Sequence, residues 1–485
     1  MNLTRRLGSA VTAGVPVLVL VSLGPVAELA GTASVLVWAA SALMGFFMAL
    51  VFAELAVAFP RHTGGIGVLA ARVWAPRSRL LSMAGQWGYW FGWSPALAIN
   101  GVLLGGYLRA TFAASAPEWV TIVFAAGVLA LSVTINHYGM LRGARVQAAL
   151  AMIVATGILA LLAVAAFGGR FRWSNITPLQ PPSGWSSTAG VVAVAGALFI
   201  AGWSAYGAEL ALSYGTEYRN GPRDAADSAV VIAFLGIIAY TGVPLVVVGV
   251  LGDGATQGDP VAALSAVLRD AGGSAAPLVV ALLMTALLLC LNTVMIGSSR
   301  TLYQMSRDGS AWGFLGRLNR HGVPANALRF DLAVNVVLLV AVLAVSGGRT
   351  AGVPIALLAA ANVGYFTSIC LALVAGWLYV RARPRAHRGP LRLRPVLMRV
   401  GVVLAVVNAV LLAAAGFAWG WLDVAIGVAI LTGVVLLATR RRPTPAPSPA
   451  AGPPVCLVRA DQAGSSAPLV VPPARVPPGR KVVAR

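Results

Sequence analysis

The sequence predicts an all-α integral membrane protein of about twelve transmembrane helices, and three observations carry that prediction. Its residues are 59% hydrophobic and only 10% charged, with a mean hydropathy of +0.84, a balance that a water-soluble domain of 485 residues does not show. The apolar residues fall in runs of about 20, the length that crosses a bilayer as a helix. The basic residues fall between those runs and in the tail. The net charge of +21 therefore reads as the Lys/Arg bias of cytoplasmic loops and not as a nucleic-acid surface.

Taken in order, the runs cover 7–26, 33–57, 82–108, 119–136, 144–168, 189–214, 228–251, 276–299, 329–346, 353–379, 398–416 and 419–439. The first follows Arg5 and Arg6, and small residues at Ala27 to Ala30 imitate a cleavage site. The many spans after it make it an uncleaved first helix rather than a signal peptide. Twelve spans put both termini on one side. With the N-terminus cytoplasmic, only Arg109, Arg170, Arg172, Arg269 and Arg349 fall outside, which orients the chain in the cytoplasmic membrane with both termini inside.

The connections follow the same logic. The second run closes on Pro60-Arg61-His62-Thr63-Gly64-Gly65, and the eighth ends in Ser298-Ser299-Arg300-Thr301 and then Arg307-Asp308-Gly309. The basic stretch Arg381 to Arg399 reads as an orientation signal lying against anionic headgroups. Residues 1–440 form the membrane domain. Residues 441–485, rich in Pro, Ala and Arg without apolar periodicity, read as a disordered cytoplasmic tail.

Cys290 and Cys370 lie in apolar runs and Cys456 in the tail, so no disulfide framework is expected. His62, His137, His321 and His387 are scattered among loops. No metal, cofactor or catalytic group is predicted, and the chain is not read as an enzyme. The functional signal is the stretch Phe199 to Arg223, which is apolar enough to sit in a bilayer yet carries Glu209 in mid-span between glycines. A carboxyl at membrane depth is costly unless it faces a wet cavity or a partner, and flanking glycines let the chain unwind where it lines one. The alternative is a small-residue packing face with Glu209 hydrogen-bonded to a neighbouring helix.

Four stretches resemble the amino acid–polyamine–organocation permease superfamily, over residues 5 to 440. They are Ala53-Glu54-Leu55 with Phe59-Pro60 and Gly64-Gly65; Gly207-Ala208-Glu209 with Glu217-Tyr218-Arg219-Asn220; Arg300 with Arg307-Asp308-Gly309, Asn319 and Val323-Pro324; and Asn136 to Gln147. The resemblance implies a LeuT-type fold of two inverted five-helix repeats, about 7–168 and 189–379, with two peripheral helices. Helices one and six would break at the midplane and form the substrate site there. It implies a secondary active transporter moving an amino acid or related amine by alternating access, through proton-coupled symport or exchange. The alternative is an exporter, or a sensor or scaffold that keeps the fold, and sodium is the alternative coupling ion.

Within that resemblance, Trp203-Ser204-x-x-Gly207-x-Glu209 is similar to the sixth helix of bacterial arginine–agmatine exchangers, which implies substrate contact for Trp203 and a proton-coupling role for Glu209. The substrate site is expected to include Gly14, Val15, Pro16, Trp203, Tyr206, Gly207, Asn292 and Thr293, with Arg300, Arg307 and Asp308 in the inner gate and its loop. Two departures stand out. Gly14-Val15-Pro16 replaces the glycine-rich break of the first helix, removing one amide donor, and Val154 stands near a lysine of several proton-coupled members.

Overall fold

The computed structural model describes residues 3–167, 169, 171–252, 276–345, 353–382 and 395–440. Arg170, Arg269, Arg349, His387, Cys456, most of the basic stretch from Arg381 to Arg399, and the tail from 441 lie outside them. Among the described residues the structure is helical, with one isolated bridge between Leu3 and Tyr218 and no strand. Ten helical segments among the described residues are long and apolar enough to cross a membrane.

The helices are α1 Arg5–Thr12, α2 Val19–Ala30, α3 Ser34–Ala58, α4 Gly65–Trp74, α5 Arg79–Trp93, α6 Pro95–Phe112, α7 Trp119–His137 and α8 Met140–Phe167. They continue as α9 Thr188–Ala205, α10 Pro222–Leu251, α11 Ala276–Arg307, α12 Ala325–Val345, α13 Val353–Ala382, α14 Pro395–Trp419 and α15 Trp421–Arg440. The expected spans 7–26 and 33–57 fall within one candidate segment, Arg5–Ala58, interrupted by 3-10 turns at Pro16–Leu18 and Gly31–Ala33. The expected span 82–108 is divided between α5 and α6.

Local chemistry explains the ends and the breaks. Thr4 caps α1 by accepting from the Leu7 amide, and Ser187 caps α9 by accepting from the Gly190 amide at 2.9 Å. α1 stops at Thr12, because Pro16 has no N–H and its ring crowds the preceding turn. α9 stops at Ala205, and the chain continues as a 3-10 segment from Gly207 to Glu217 with a kink at Tyr214. A Cβ at Gly14 would lie 2.5 Å from the Thr293 hydroxyl, and one at Gly207 would lie 2.7 Å from the Trp93 ring. Close approach at the two breaks therefore requires glycine.

α10 lies along α3, α13 along α5, and α2 along α9, while α1 meets the 3-10 segment. The two broken stretches thus run side by side through the interior. Leu36, Val123, Met152, Phe234, Val340, Phe417 and Leu437 are exposed, which suits an outer surface against lipid tails. The interior holds a large apolar core and, unlike a water-soluble core, many buried serines, asparagines and tyrosines. Many of those groups bond to each other or to the backbone, which suits an interior surrounded by lipid.

Candidate functional site at the two helix breaks

Around the breaks, side chains from neighbouring helices bond to backbone carbonyls. The Tyr240 hydroxyl of α10 hydrogen-bonds the carbonyls of Val15 and Ser204, one from each broken stretch. The Ser204 hydroxyl donates to Leu18 O at 3.2 Å and lies 2.7 Å from the Ser22 hydroxyl. The Thr293 hydroxyl of α11 donates to Val11 O at 2.7 Å, and the Cys290 thiol to Gly14 O at 3.0 Å. The Gln147 amide nitrogen on α8 reaches Leu289 O at 2.8 Å, the Thr293 hydroxyl at 2.7 Å and Val11 O at 3.3 Å.

Glu209 sits on the first turn of the 3-10 segment, fully buried, with both carboxyl oxygens occupied. Tyr89 donates to Oε2 at 2.8 Å, while Trp93 Nε1 and the Tyr365 hydroxyl donate to Oε1 at 3.2 and 2.6 Å. These donors come from α5 and α13 and are neutral, and no ion pair reaches Glu209 among the described residues. The Trp203 ring lies 5.3 Å from that of Trp93, with its Nε1 donating to Gly92 O at 3.0 Å. Trp93 in turn meets Tyr365 edge-on at 5.0 Å. Glu209 is thus enclosed by aromatic side chains that present polar edges to it and apolar faces to each other.

The other expected site residues separate into three places. Gly14, Val15 and Pro16 form the first break, and Thr293 bonds to its rim. Trp203 and Gly207 flank Glu209, whereas Tyr206 turns toward Phe366, with ring centroids 5.9 Å apart and a hydroxyl that has no partner. Asn292 faces α7 instead, accepting from Ser132 and from Asn136 at 3.1 Å. Successive residues on a helix point about 100° apart, so Asn292 and Thr293 cannot both face the breaks.

Arg300 and Asp308 lie at the end of the bundle that carries the N-terminus. Arg300, 2% exposed, pairs with Glu217 at 2.8 Å, while Asp308 pairs with Arg72 and accepts from Gln304 at 2.9 Å. Arg307 points outward and is exposed. This end is closed by backbone as well: Leu3 pairs with Glu217 and Arg219, and the Gly64 amide donates to Ser213 O at 2.7 Å. His62, in the same closure, is held below its ordinary pKa by burial and then by Arg72, against the opposing charge of Asp308 and a hydrogen bond to the Phe59 backbone. At the opposite end, Thr32 donates to Pro178 O at 2.7 Å and the Ala33 amide to Gln180 O at 3.3 Å.

Sequence reasoning did not single out Tyr89, Trp93, Tyr365, Tyr240, Gln147 or Asp331. A signal for the first two exists in the run Tyr89-Trp90-Phe91-Gly92-Trp93, since buried Tyr and Trp need partners for their polar atoms. Nothing in the sequence pairs that run with Glu209, 120 residues away from Tyr89.

A family model described as amino acid permease matches residues 8–440. The lysine-specific permease LysP of Escherichia coli (strain K12) is 24% identical over 262 residues, covering 50% of this chain and 51% of that protein. The chain thus aligns with about half the length of that curated relative.

Proposed function

This chain belongs to the amino acid permease family, and on that premise we propose that it is a secondary active transporter moving an amino acid or related amine by alternating access. The observation that carries the reading is Glu209, a buried carboxyl at a helix break, held by three neutral donors and bordered by Trp203. A fixed Arg or Lys in that place would neutralise it permanently. Neutral donors leave its charge free to be met by a proton or by an ammonium group, with aromatic faces ready for the cation or its aliphatic stem. Similarity to a lysine-specific permease supports a cationic amino acid as the first substrate to test.

We read the architecture as twelve spans in a LeuT-type five-plus-five arrangement with both termini cytoplasmic. The segment Arg5–Ala58 has 54 residues, about 80 Å of helix at 1.5 Å per residue, which is two crossings. α5 and α6, joined at Ser94, make one more. Pairing of the two breaks supports an inverted repeat, because such transporters bind substrate where two discontinuous helices meet. In the cycle, opening would part α5 and α13 from the 3-10 segment and break the three bonds to Glu209. Protonation of that carboxyl weakens all three by removing their charge assistance. Residues 441–485 are read as a tail outside this machinery.

Uptake and counterflow in proteoliposomes, with radiolabelled lysine, arginine, neutral and acidic amino acids and simple amines, test the proposal. Accumulation or exchange of at least one of them is expected, and no movement of any would overturn the transporter reading.

A further inference from the structure

A second buried carboxyl lies outside the site. Asp331, on α12, is fully buried, and its Oδ1 accepts from Trp90 Nε1 at 2.9 Å and from the Ser94 hydroxyl at 3.0 Å. Its Oδ2 lies beside the Ser298 hydroxyl of α11. One turn along α12, the Asn335 amide nitrogen donates to the Ser94 hydroxyl at 3.1 Å and to Asp331 O at 2.9 Å. Asn335 Oδ1 accepts from the Ala98 amide at 3.1 Å. That amide is free because the Ser94 carbonyl takes the Leu97 amide instead, at 3.0 Å, in the tightened turn that starts α6 at Pro95.

Asp331 and Asn335 therefore hold the α5–α6 junction at the Trp90 indole, the Ser94 hydroxyl and the Ala98 amide. Trp90 and Ser94 touch Asp331, while Tyr89 and Trp93, their neighbours in sequence, touch Glu209. The same short stretch of α5 is gripped on one side by α12 and on the other by the 3-10 segment. An apolar residue would fill this place without the desolvation penalty of a carboxyl at membrane depth, so the acid is retained for its acceptor oxygens.

We propose that Asp331, with Asn335, is a positioning residue for transport: by fixing the α5–α6 junction through Trp90 and Ser94 it sets Tyr89 and Trp93 in hydrogen-bonding reach of Glu209. The inference rests on the transporter reading. It concerns hydrogen bonding and not charge. Asp331→Asn keeps the accepting oxygen and Asp331→Ala removes it, so the amide variant rescues what the alanine variant loses.

The test measures lysine counterflow in proteoliposomes, per folded protein, for D331N and D331A alone and each combined with E209Q. D331N is expected within about twofold of wild type in KM and maximal rate, and D331A to lose about tenfold in maximal rate, the order of one lost buried hydrogen-bond acceptor. Combined with E209Q, D331A is expected to add less than about twofold, because the bonds it positions are already altered. Full multiplication of the two losses, or equal losses in D331N and D331A, overturns the proposal. If wild-type protein moves no amino acid, the transporter reading fails separately. The positioning contact is then judged by melting of the purified protein: D331A and W90F should lower Tm together by less than the sum of their single shifts, and additive shifts overturn it.

Discussion

Carboxyl groups inside this bundle are held differently from those at its N-terminal end. Glu209 and Asp331 receive hydrogen bonds from tyrosine, tryptophan and serine, and neither has an ion pair among the described residues. Glu217, Asp308 and Asp227 are each bound to an arginine, Arg300, Arg72 and Arg5. A fixed counter-charge locks a carboxylate in one state, whereas neutral donors orient it and leave its charge to be answered by something mobile. The end of the bundle is thus held by fixed charge pairs, and the interior carboxyls by neutral donors.

The sharpest way to break that comparison is at Glu209. Glu209→Ala leaves three buried donors without their acceptor, at about 1–3 kcal/mol each, and is expected to reduce transport by more than about 100-fold. Glu209→Gln keeps size and an acceptor oxygen but cannot titrate. It should leave substrate-driven exchange measurable at a reduced rate and lose the pH dependence of net transport. A wild-type pH profile in that variant, measured as initial uptake across a pH series, would make Glu209 an orienting residue like Asp331.

At the other region, Arg300→Gln should cost stability and not chemistry. The guanidinium is 2% exposed and its partner Glu217 is 28% exposed, so removing it strands a half-buried carboxylate at a cost of about 2 kcal/mol. A Tm lowered by several degrees with unchanged KM in the surviving protein is expected. A large KM change would place Arg300 in the substrate path and erase the distinction between the regions.

Trp203→Leu tests the interior at a smaller scale. It removes the ring beside Trp93 and the bond to Gly92 O, and should raise KM by about tenfold, the order of 1 kcal/mol for a lost aromatic contact. Unchanged KM with a reduced rate would show that Trp203 acts on α5 and not on substrate.

Why one interior carboxyl was readable and the other was not follows from their neighbours in the chain. Glu209 stands among glycines in mid-span, where no interface is near. Asp331 follows Arg329 and Phe330 at the start of the expected span 329–346, where an acid reads as interfacial; α12 begins at Ala325 instead, which carries Asp331 into the bundle. Membrane character and the family motifs were legible because runs and spacings are local. The partners of Glu209 were not, since a count of hydrophobic residues takes Tyr89, Trp93 and Tyr365 as apolar and ignores the polar edges that make the site. Neighbouring Asn292 and Thr293 looked equivalent for a related reason: a sequence shows adjacency, and the helical turn separates their faces.

The smallest expected effect concerns Asp308, an end-region carboxylate in a partly exposed pair. Its side chain is 14% exposed and that of Arg72 31%, so the pair is partly screened and contributes about 1 kcal/mol or less. Asp308→Asn keeps hydrogen bonding to Arg72 and Gln304 but removes the negative charge, and should change the maximal exchange rate by about two- to threefold, with apparent affinity nearly constant. A further consequence runs through His62, whose pKa Asp308 raises while burial and Arg72 lower it. A histidine held low in the closed state favours closure above its unfolded pKa of about 6.5, and that support is lost as pH falls through the closed-state value. Without Asp308 that value drops further, so acid should weaken the closure over a wider range in Asp308→Asn than in wild type. Adding His62→Gln should remove the difference. Exchange rates from pH 7.5 to 5 in the three proteins, on the order of twofold apart at most, decide the matter: a large affinity change at constant rate would move Asp308 out of the closure and into the substrate path.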